Sequence, residues 1–143
     1  MTIPAPELGL VISYAYLWHH EHLSGRDEGR KNRPSVIVLV IESQDDHSAL
    51  VTVLPITHTP PKEPATAIEI PAPVKRHLGL DDDRSWIVLS EANEFLWPGY
   101  DLVRIPATGQ YHYGFLPPRF FDRVLQAFIT FTKTNRPKLT TRD

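Results

Sequence analysis

The order of hydrophobic and polar positions along the chain predicts several short strands followed by one terminal helix. Apolar and β-branched residues dominate "GLVISYAYLW" (9–18), "SVIVLVIES" (35–43) and "SALVTVLPIT" (48–57). Runs of this composition are typical of β-strands, and the nearly continuous apolar sequence of 35–43 indicates a strand that is buried on both faces. The polar turn "QDDH" that follows it predicts that 35–43 and 48–57 form a hairpin.

The second half of the chain predicts further short elements. "TAIEIP" (66–71) alternates as a short strand does, and "PAPVKRHLGL" (71–80) fits a brief helix with proline in its first turn and Gly79 at its end. "SWIVLSEANEF" (85–95) predicts another buried strand, and "YDLVRIP" (100–106) is a candidate for one more. The 14 prolines of the chain favour short elements joined by shaped loops.

The last predicted element is an amphipathic helix in "LPPRFFDRVLQAFITFTK" (116–133). Its apolar residues recur at steps of three and four, which is the period of a helix with one buried face. These residues are Phe120, Phe121, Val124, Leu125, Phe128, Ile129 and Phe131.

About five strands, one inserted helix and the terminal helix together predict a mostly β fold, a small antiparallel barrel. A length of 143 residues suits a single domain over 1–143. Its core is expected at about 9–132, which leaves 133–143 as a basic tail, whether ordered or flexible.

Composition excludes several classes of protein. A formal net charge of −2 and a pI near 6.4 argue against a protein that coats nucleic acid through bulk charge. No apolar run approaches the roughly eighteen residues of a membrane span, and the first ten residues do not resemble an export signal. We therefore expect a soluble, cytoplasmic protein. The lack of cysteine excludes disulfides and thiolate metal sites.

The loop predicted at 19–32 is rich in charge. It contains Arg26, Arg30 and Lys31, and Arg33 follows at the start of the next strand. Such a cluster indicates an anionic partner, whereas in the simpler interpretation it only keeps a loop solvated. The "HHEH" of this loop also suggests a metal site, but no further ligand accompanies it, and we expect no metal and no cofactor.

Several segments, taken together, resemble the PemK/MazF family of toxins from toxin–antitoxin systems. They are "GLVISY", the charged loop with its glycines, "RPSVIVL", "VTVLPIT" and a later strand that ends in a polar turn, and the match spans 9–132. Its most specific pieces are Arg33-Pro34, which begins a strand, and Pro55-Ile56-Thr57, which ends the next. The resemblance implies an SH3-like barrel, a homodimer, metal-independent cleavage of single-stranded RNA, and a cognate antitoxin that lies in the substrate groove.

By position, the resemblance assigns the arginine of the family motif to Arg33 and the threonine to Thr57. Metal-free RNA cleavage begins when the 2′-hydroxyl attacks the adjacent phosphorus, so it needs a base, an acid and positive charge on the phosphorane. A guanidinium suits the last task because it stays charged and can bind two phosphate oxygens. The hydroxyl of Thr57 suits a hydrogen bond to the phosphate or the nucleophile. Each residue also has a simpler interpretation, as a solvated loop arginine and as a turn-forming threonine.

The sequence departs from the family where an acid–base pair is expected. In "VLSEANEF", Val88 stands in place of an arginine and Ser90 in place of an aspartate. Glu91 and His58 are therefore our candidates for proton transfer, beside the histidines of the charged loop. The residues that we select for RNA binding are Arg26, Arg30, Lys31, Ser90 and Asn93.

Two other interpretations stay open. The altered "SEAN" segment favours a barrel that has lost catalysis and acts as an RNA- or protein-binding module. A metal-dependent hydrolase would instead use the cluster of His19, His20 and His22. The three tryptophans suit either stacking on unpaired bases or packing in the core; they are Trp18, Trp86 and Trp97.

Overall fold

The computed structural model describes residues 3–23, 25 and 32–142, without the side chain of His22. Eight strands and three α-helices make up this part of the chain. In chain order the elements are β1 (Leu10–Tyr14), α1 (His19–Leu23), β2 (Arg33–Glu42), β3 (Ala49–Thr57), a short 3-10 helix η1 (Pro64–Thr66), β4 (Ala67–Glu69), α2 (Ala72–Leu78), β5 (Trp86–Val88), β6 (Glu91–Leu96), β7 (His112–Phe115), α3 (Pro118–Thr134) and β8 (Lys138–Thr141).

The predicted hairpin of β2 and β3 is confirmed and forms the centre of one sheet. The two strands pair antiparallel from Ser35 opposite Pro55 to Glu42 opposite Ala49. β1 pairs with the other edge of β2, and β7 pairs with β1. The far edge of β3 divides, because its first half pairs with β6 and its last two residues pair with β5. β4 then extends β5, and β8 extends β6 as a parallel strand.

The fold is mostly antiparallel β with an inserted helix and a C-terminal helix, as the pattern predicts. The sheet does not close into a barrel, because β4, β7 and β8 each pair along one edge only within the described residues. The eight strands also exceed the expected five or so. The barrel expectation is therefore correct as a class of β fold and wrong as to closure.

Both faces are buried in the first half of β2 and in most of β3, as the continuous apolar sequence predicts, but the second half of β2 is largely exposed. Val36 and Leu54 point to the face that α2 and α3 cover, whereas Ile37 and Val53 point to the other face. All four side chains are fully buried, and each contributes roughly 1.5–3 kcal/mol by leaving water. Tyr14 and Phe95 stack in the second core, with ring centroids 4.7 Å apart.

Two predicted strands differ in the structure. Residues 85–95 form β5 and β6 instead of one strand, because the pairing with β3 changes register at Leu89 and Ser90. Residues 100–106 form no strand apart from a single bridge between Leu102 and Tyr14. The place beside β1 belongs to β7, which the pattern missed because its sequence "HYGF" contains a polar residue and a glycine at φ +119°.

The helices agree better with the sequence. α2 begins after Pro71 and ends at Gly79, whose φ of +70° gives the left-handed cap that was predicted. The predicted C-terminal helix is confirmed as α3, although only Phe120 and Val124 of its apolar positions are buried. The expected loop at 19–32 begins with a short helix, α1, in place of irregular chain.

The end of the chain belongs to the fold. We expected the core to end near residue 132, but β8 pairs with β6 in register from Lys138 opposite Glu91 to Thr141 opposite Glu94. The side chain of Arg142 is buried and pairs with Asp101 at 2.9 Å. Residues 138–142 are therefore part of the sheet and its core, not a separate tail.

Candidate functional site

Arg33 and Thr57 lie side by side at one end of the central hairpin. The antiparallel register that places Ser35 opposite Pro55 brings the first residue of β2 next to the last residues of β3. The guanidinium of Arg33 donates a hydrogen bond to the carbonyl oxygen of Ile56 at 3.3 Å. Two clefts adjoin this point, and Arg33, Thr57 and Thr59 line both of them.

The first cleft has a volume of about 490 Å³ and a mostly polar lining. His58, Asp81 and Tyr113 face it beside Arg33 and Thr57. Burial raises the pKa of the Tyr113 hydroxyl, and the nearby charge of Asp81 adds to this increase, whereas a hydrogen bond with Ser13 lowers it. The cleft therefore joins a cation, a hydroxyl group and an imidazole, which are the groups that phosphate chemistry needs.

His58 is held by a chain of polar contacts that leads back to α2. Its Nε2 atom lies 2.8 Å from a carboxylate oxygen of Asp81. The other oxygen of Asp81 accepts a hydrogen bond from the Lys75 ammonium at 2.8 Å. Lys75 is buried and also donates to the carbonyl oxygen of Asp83 and to Oγ of Ser85. A carboxylate that binds one imidazole nitrogen fixes the ring and leaves the other nitrogen, Nδ1, for proton transfer.

The second cleft has a volume of about 390 Å³ and shares Arg33, Thr57 and Thr59 with the first. Its walls are mainly apolar, and they include Trp18, Pro60, Pro61 and Val88, with His20 at the edge. The guanidinium carbon of Arg33 lies 4.8 Å from the centre of the Trp18 ring, a cation–π distance. Each cleft therefore contains Arg33 and one histidine, His58 in the first cleft and His20 in the second.

The electrostatic surroundings of Arg33 are balanced. Burial lowers the pKa of its guanidinium, and the nearby Glu21, Tyr16 and Glu91 oppose that effect. Its Nε atom is buried and has no hydrogen-bond partner among the described residues. Arginine remains charged across the biological pH range, so the site keeps a cation that can bind an anionic ligand.

The structure does not bring Glu91, a predicted catalytic residue, into either cleft. Its carboxylate accepts hydrogen bonds from the Tyr16 hydroxyl at 3.1 Å and from the His19 backbone N–H at 3.0 Å. Burial raises the pKa of Glu91, and the two hydrogen bonds lower it in part. These contacts hold the start of α1 against β6, and the described linings of both clefts lack this residue.

Two predicted RNA-binding residues also have structural roles. Asn93 is fully buried, and its amide exchanges hydrogen bonds with the backbone of Leu17 at 2.9 and 2.8 Å. It is therefore not available to RNA, and that prediction is wrong. Ser90 is half-buried at the break between β5 and β6, and its carbonyl oxygen accepts the N–H of Lys138. The remaining predictions, Arg26, Arg30 and Lys31, lie outside the described residues.

Within the described side chains, one group could hold a metal ion, and it is not the "HHEH" segment. It consists of His58, Asp81 and Asp83, all exposed. The Lys75 ammonium already binds Asp81 and the carbonyl of Asp83, which supplies the positive charge that a metal ion would bring. In this group of His58, Asp81 and Asp83, the Lys75 ammonium therefore takes the place that a metal ion would occupy.

The residues that support His58 were not predicted from the sequence. Asp81 lies in "LDDDR", an acidic segment of ordinary composition, and Lys75 lies on the polar part of a predicted helix. Only the packing of α2 and the following turn against the end of β3 brings them together. No local sequence pattern predicts a contact between residues 58 and 81.

None of the helices in the described part of the chain combines the length and hydropathy that crossing a membrane requires. A scan against protein-family models and searches of curated proteins and of solved structures found no match to this chain. The resemblance to the PemK/MazF family stays a prediction.

Proposed function

We propose that this protein is an endoribonuclease that cleaves single-stranded RNA without a metal ion, as the toxin of a toxin–antitoxin pair. One observation carries the proposal. Arg33 and Thr57 line two adjoining clefts, and each cleft contributes a histidine, His58 or His20. A cation and two proton carriers in adjoining clefts are the groups that transphosphorylation of RNA requires.

In the proposed reaction a phosphodiester lies against Arg33. His58, oriented by Asp81, takes the proton of the 2′-hydroxyl as its oxygen attacks phosphorus. The bond from phosphorus to the 5′-oxygen breaks, and His20 supplies the proton that the leaving oxygen needs. The guanidinium of Arg33 stabilises the charge on the phosphorane, and the Thr57 hydroxyl donates a hydrogen bond to a phosphate oxygen. The products are a 2′,3′-cyclic phosphate and a 5′-hydroxyl.

Incubation of the protein with a defined single-stranded RNA in EDTA tests the proposal. We expect cyclic phosphate ends, and a loss of about 100- to 1000-fold in rate for Arg33→Ala. Arg84→Ala is the matched control, because Arg84 also lies over a tryptophan ring, 5.0 Å from Trp86, but outside both clefts. Dependence on added metal, or equal loss in both variants, would refute the mechanism.

A second candidate is an RNA-binding module without cleavage. The observation that favours it is the start of β6, where Glu91 and Asn93 are bound into the structure and contribute no proton carrier to the clefts. RNA that binds in an Arg33-dependent manner and stays intact under the same conditions would favour this candidate.

The proposal includes the partners that the resemblance implies, a second copy of the chain and a cognate antitoxin. Light scattering of the purified protein tests the homodimer. Co-purification with the product of an adjacent gene tests the antitoxin.

A further inference from the structure

The second cleft has a shape and lining that differ from those of the first. It is bounded by the Trp18 ring, by Pro60 and Pro61, and by Val88 at the end of β5. Thr59 and Thr66 add hydroxyl groups at its margin. A volume of about 390 Å³ falls in the range of small-molecule sites, and a largely apolar lining with a few placed polar groups is usual for such sites.

The Trp18 ring is held firmly in this wall. Tyr16 packs against it edge-on, with centroids 5.1 Å apart, and Tyr16 itself is fully buried. The backbone N–H of Trp18 donates to the carboxylate of Glu21 at 3.2 Å. An aromatic side chain that is fixed beforehand binds a flat ligand at little cost in conformational entropy.

The cleft is continuous with the phosphate position that the proposed function assigns to Arg33. The guanidinium lies over the Trp18 ring and lines both clefts, so an anion on Arg33 has the apolar walls beside it. A nucleotide combines these two features, since its phosphate is anionic and its base is planar with polar edges. Bases stack on aromatic rings and on guanidinium planes in proteins that bind unpaired strands.

We propose that the cleft formed by Trp18, Pro60, Pro61 and Val88 is a subsite for one unpaired nucleobase, next to the phosphate that Arg33 binds. The proposal rests on the proposed function for its substrate class, and it adds the residues that select the base. The Pro60-Pro61 segment lies between β3 and η1, so its position sets the width of the subsite.

Titration of the protein with the four nucleoside 3′-monophosphates, and with ribose 5-phosphate as a ligand without a base, tests the subsite. The readout is the nuclear magnetic resonance of the tryptophan indole N–H groups, assigned with single Trp→Phe variants. We expect nucleotides to shift the Trp18 signal. Ribose 5-phosphate should bind at least tenfold more weakly than the nucleotides do. Trp18→Leu should weaken nucleotide binding by about tenfold and leave ribose phosphate unchanged.

Trp97→Phe is the matched control, because Trp97 is half-buried and outside both clefts. If Trp18→Leu does not fold, as circular dichroism would show, Pro61→Gly shortens the same wall outside the sheet and should weaken nucleotides alone. Equal affinity for ribose phosphate and nucleotides overturns the subsite. Base-dependent binding without RNA cleavage overturns the proposed function and supports the subsite, whereas cleavage with base-independent binding does the reverse.

Discussion

At the scale of single residues, the Lys75 ammonium controls how Asp81 holds His58. Its hydrogen bond lowers the pKa of Asp81, and the charge of His58 adds to this effect. The folded state therefore binds the Asp81 proton less tightly than the unfolded chain does. The stability that this pair contributes is present above the ordinary aspartate pKa and is lost as the pH falls through the lower folded-state value.

We expect Asp81→Asn to lower the free energy of unfolding at pH 7 by about 1 kcal/mol. This value is the upper end of the range for exposed ion pairs, because Lys75, the partner of Asp81, is buried. The Asp81 side chain is 52% exposed, which limits the effect. The same change should slow RNA cleavage by about tenfold or more, because the imidazole loses its orienting carboxylate. Urea unfolding at pH 7 and pH 3 measures the first effect, which should be smaller at pH 3 because the stabilisation is lost as the pH falls below the ordinary aspartate pKa. Asp82→Asn, one residue along the same turn, is the control, and an equal effect there would contradict the role of Asp81.

Glu91 makes the opposite prediction for pH. Burial raises its pKa, so the folded state binds the Glu91 proton more tightly than the unfolded chain does, and its ionisation lowers stability as the pH rises through the raised value. Glu91→Gln removes this ionisation, and its amide oxygen can still accept from Tyr16 and His19. We expect the variant to be at least as stable as the wild type at pH 8, with a flatter pH dependence.

Chemical denaturation between pH 4 and pH 8 measures this difference. Glu94→Gln, on the same strand, should keep the wild-type pH dependence. A loss of more than about 1 kcal/mol at pH 8 in Glu91→Gln would show that the carboxylate is needed in its charged form.

At the scale of elements, β8 ties the end of the chain to the segment that carries Trp18 and His20. Arg142 donates to the carbonyl oxygen of Ala15 at 2.9 Å and to the Asn93 side chain at 3.2 Å. Asn93 in turn binds the backbone of Leu17. The second cleft therefore depends on a strand more than a hundred residues away along the chain.

We expect Arg142→Ala to lower the free energy of unfolding by about 3 kcal/mol, because it leaves the half-buried carboxylate of Asp101 without this buried charge. Hydrogen exchange of the Leu17 amide should also accelerate. Lys138→Ala, exposed on the same strand, is the control and should change stability by less than about 0.5 kcal/mol. If Arg142→Ala has no larger effect than this control, the end of the chain does not stabilise the segment that carries Trp18 and His20.

The elements that the sequence predicted correctly are those with a strong local pattern. The apolar runs of β2 and β3 and the proline and glycine at the ends of α2 are enough to predict these elements locally. The break between β5 and β6 has no such pattern, because it follows from a change in the register of pairing with β3 at Leu89 and Ser90. β7 was missed because "HYGF" lacks an apolar strand pattern, and its place beside β1 results from tertiary pairing.

At the scale of the whole molecule, the net charge of −2 makes RNA binding depend on a few local cations. If Arg33 and one or two further cations contact phosphates, the logarithm of the binding constant should fall against the logarithm of salt with a slope of about −1 to −2. Fluorescence anisotropy with labelled single-stranded RNA measures this dependence. A range of about 50 to 200 mM KCl is wide enough to resolve the slope.

A variant with Arg26, Arg30 and Lys31 all changed to glutamine should have a shallower slope if the charged loop contacts RNA. A variant with Arg119, Arg123 and Lys133 of α3 changed to glutamine loses the same three positive charges and is the control for total charge. A slope steeper than about −4 in the wild type would mean that many more phosphates are contacted, contrary to the acidic balance of the chain.

The sequence by itself determined the class of fold, the central hairpin and the two longer helices, and a family resemblance suggested Arg33, Thr57 and His58 as candidate site residues. These follow from the spacing of apolar residues, from proline and glycine, and from short motifs, all of which act over a few residues. The tertiary structure alone decided that Asp81 and Lys75 support His58, that Trp18 forms a wall of a second cleft, and that Glu91 and Asn93 are occupied with backbone contacts. Such pairings join residues far apart in the chain, and their energies depend on burial and distance, which no local pattern contains.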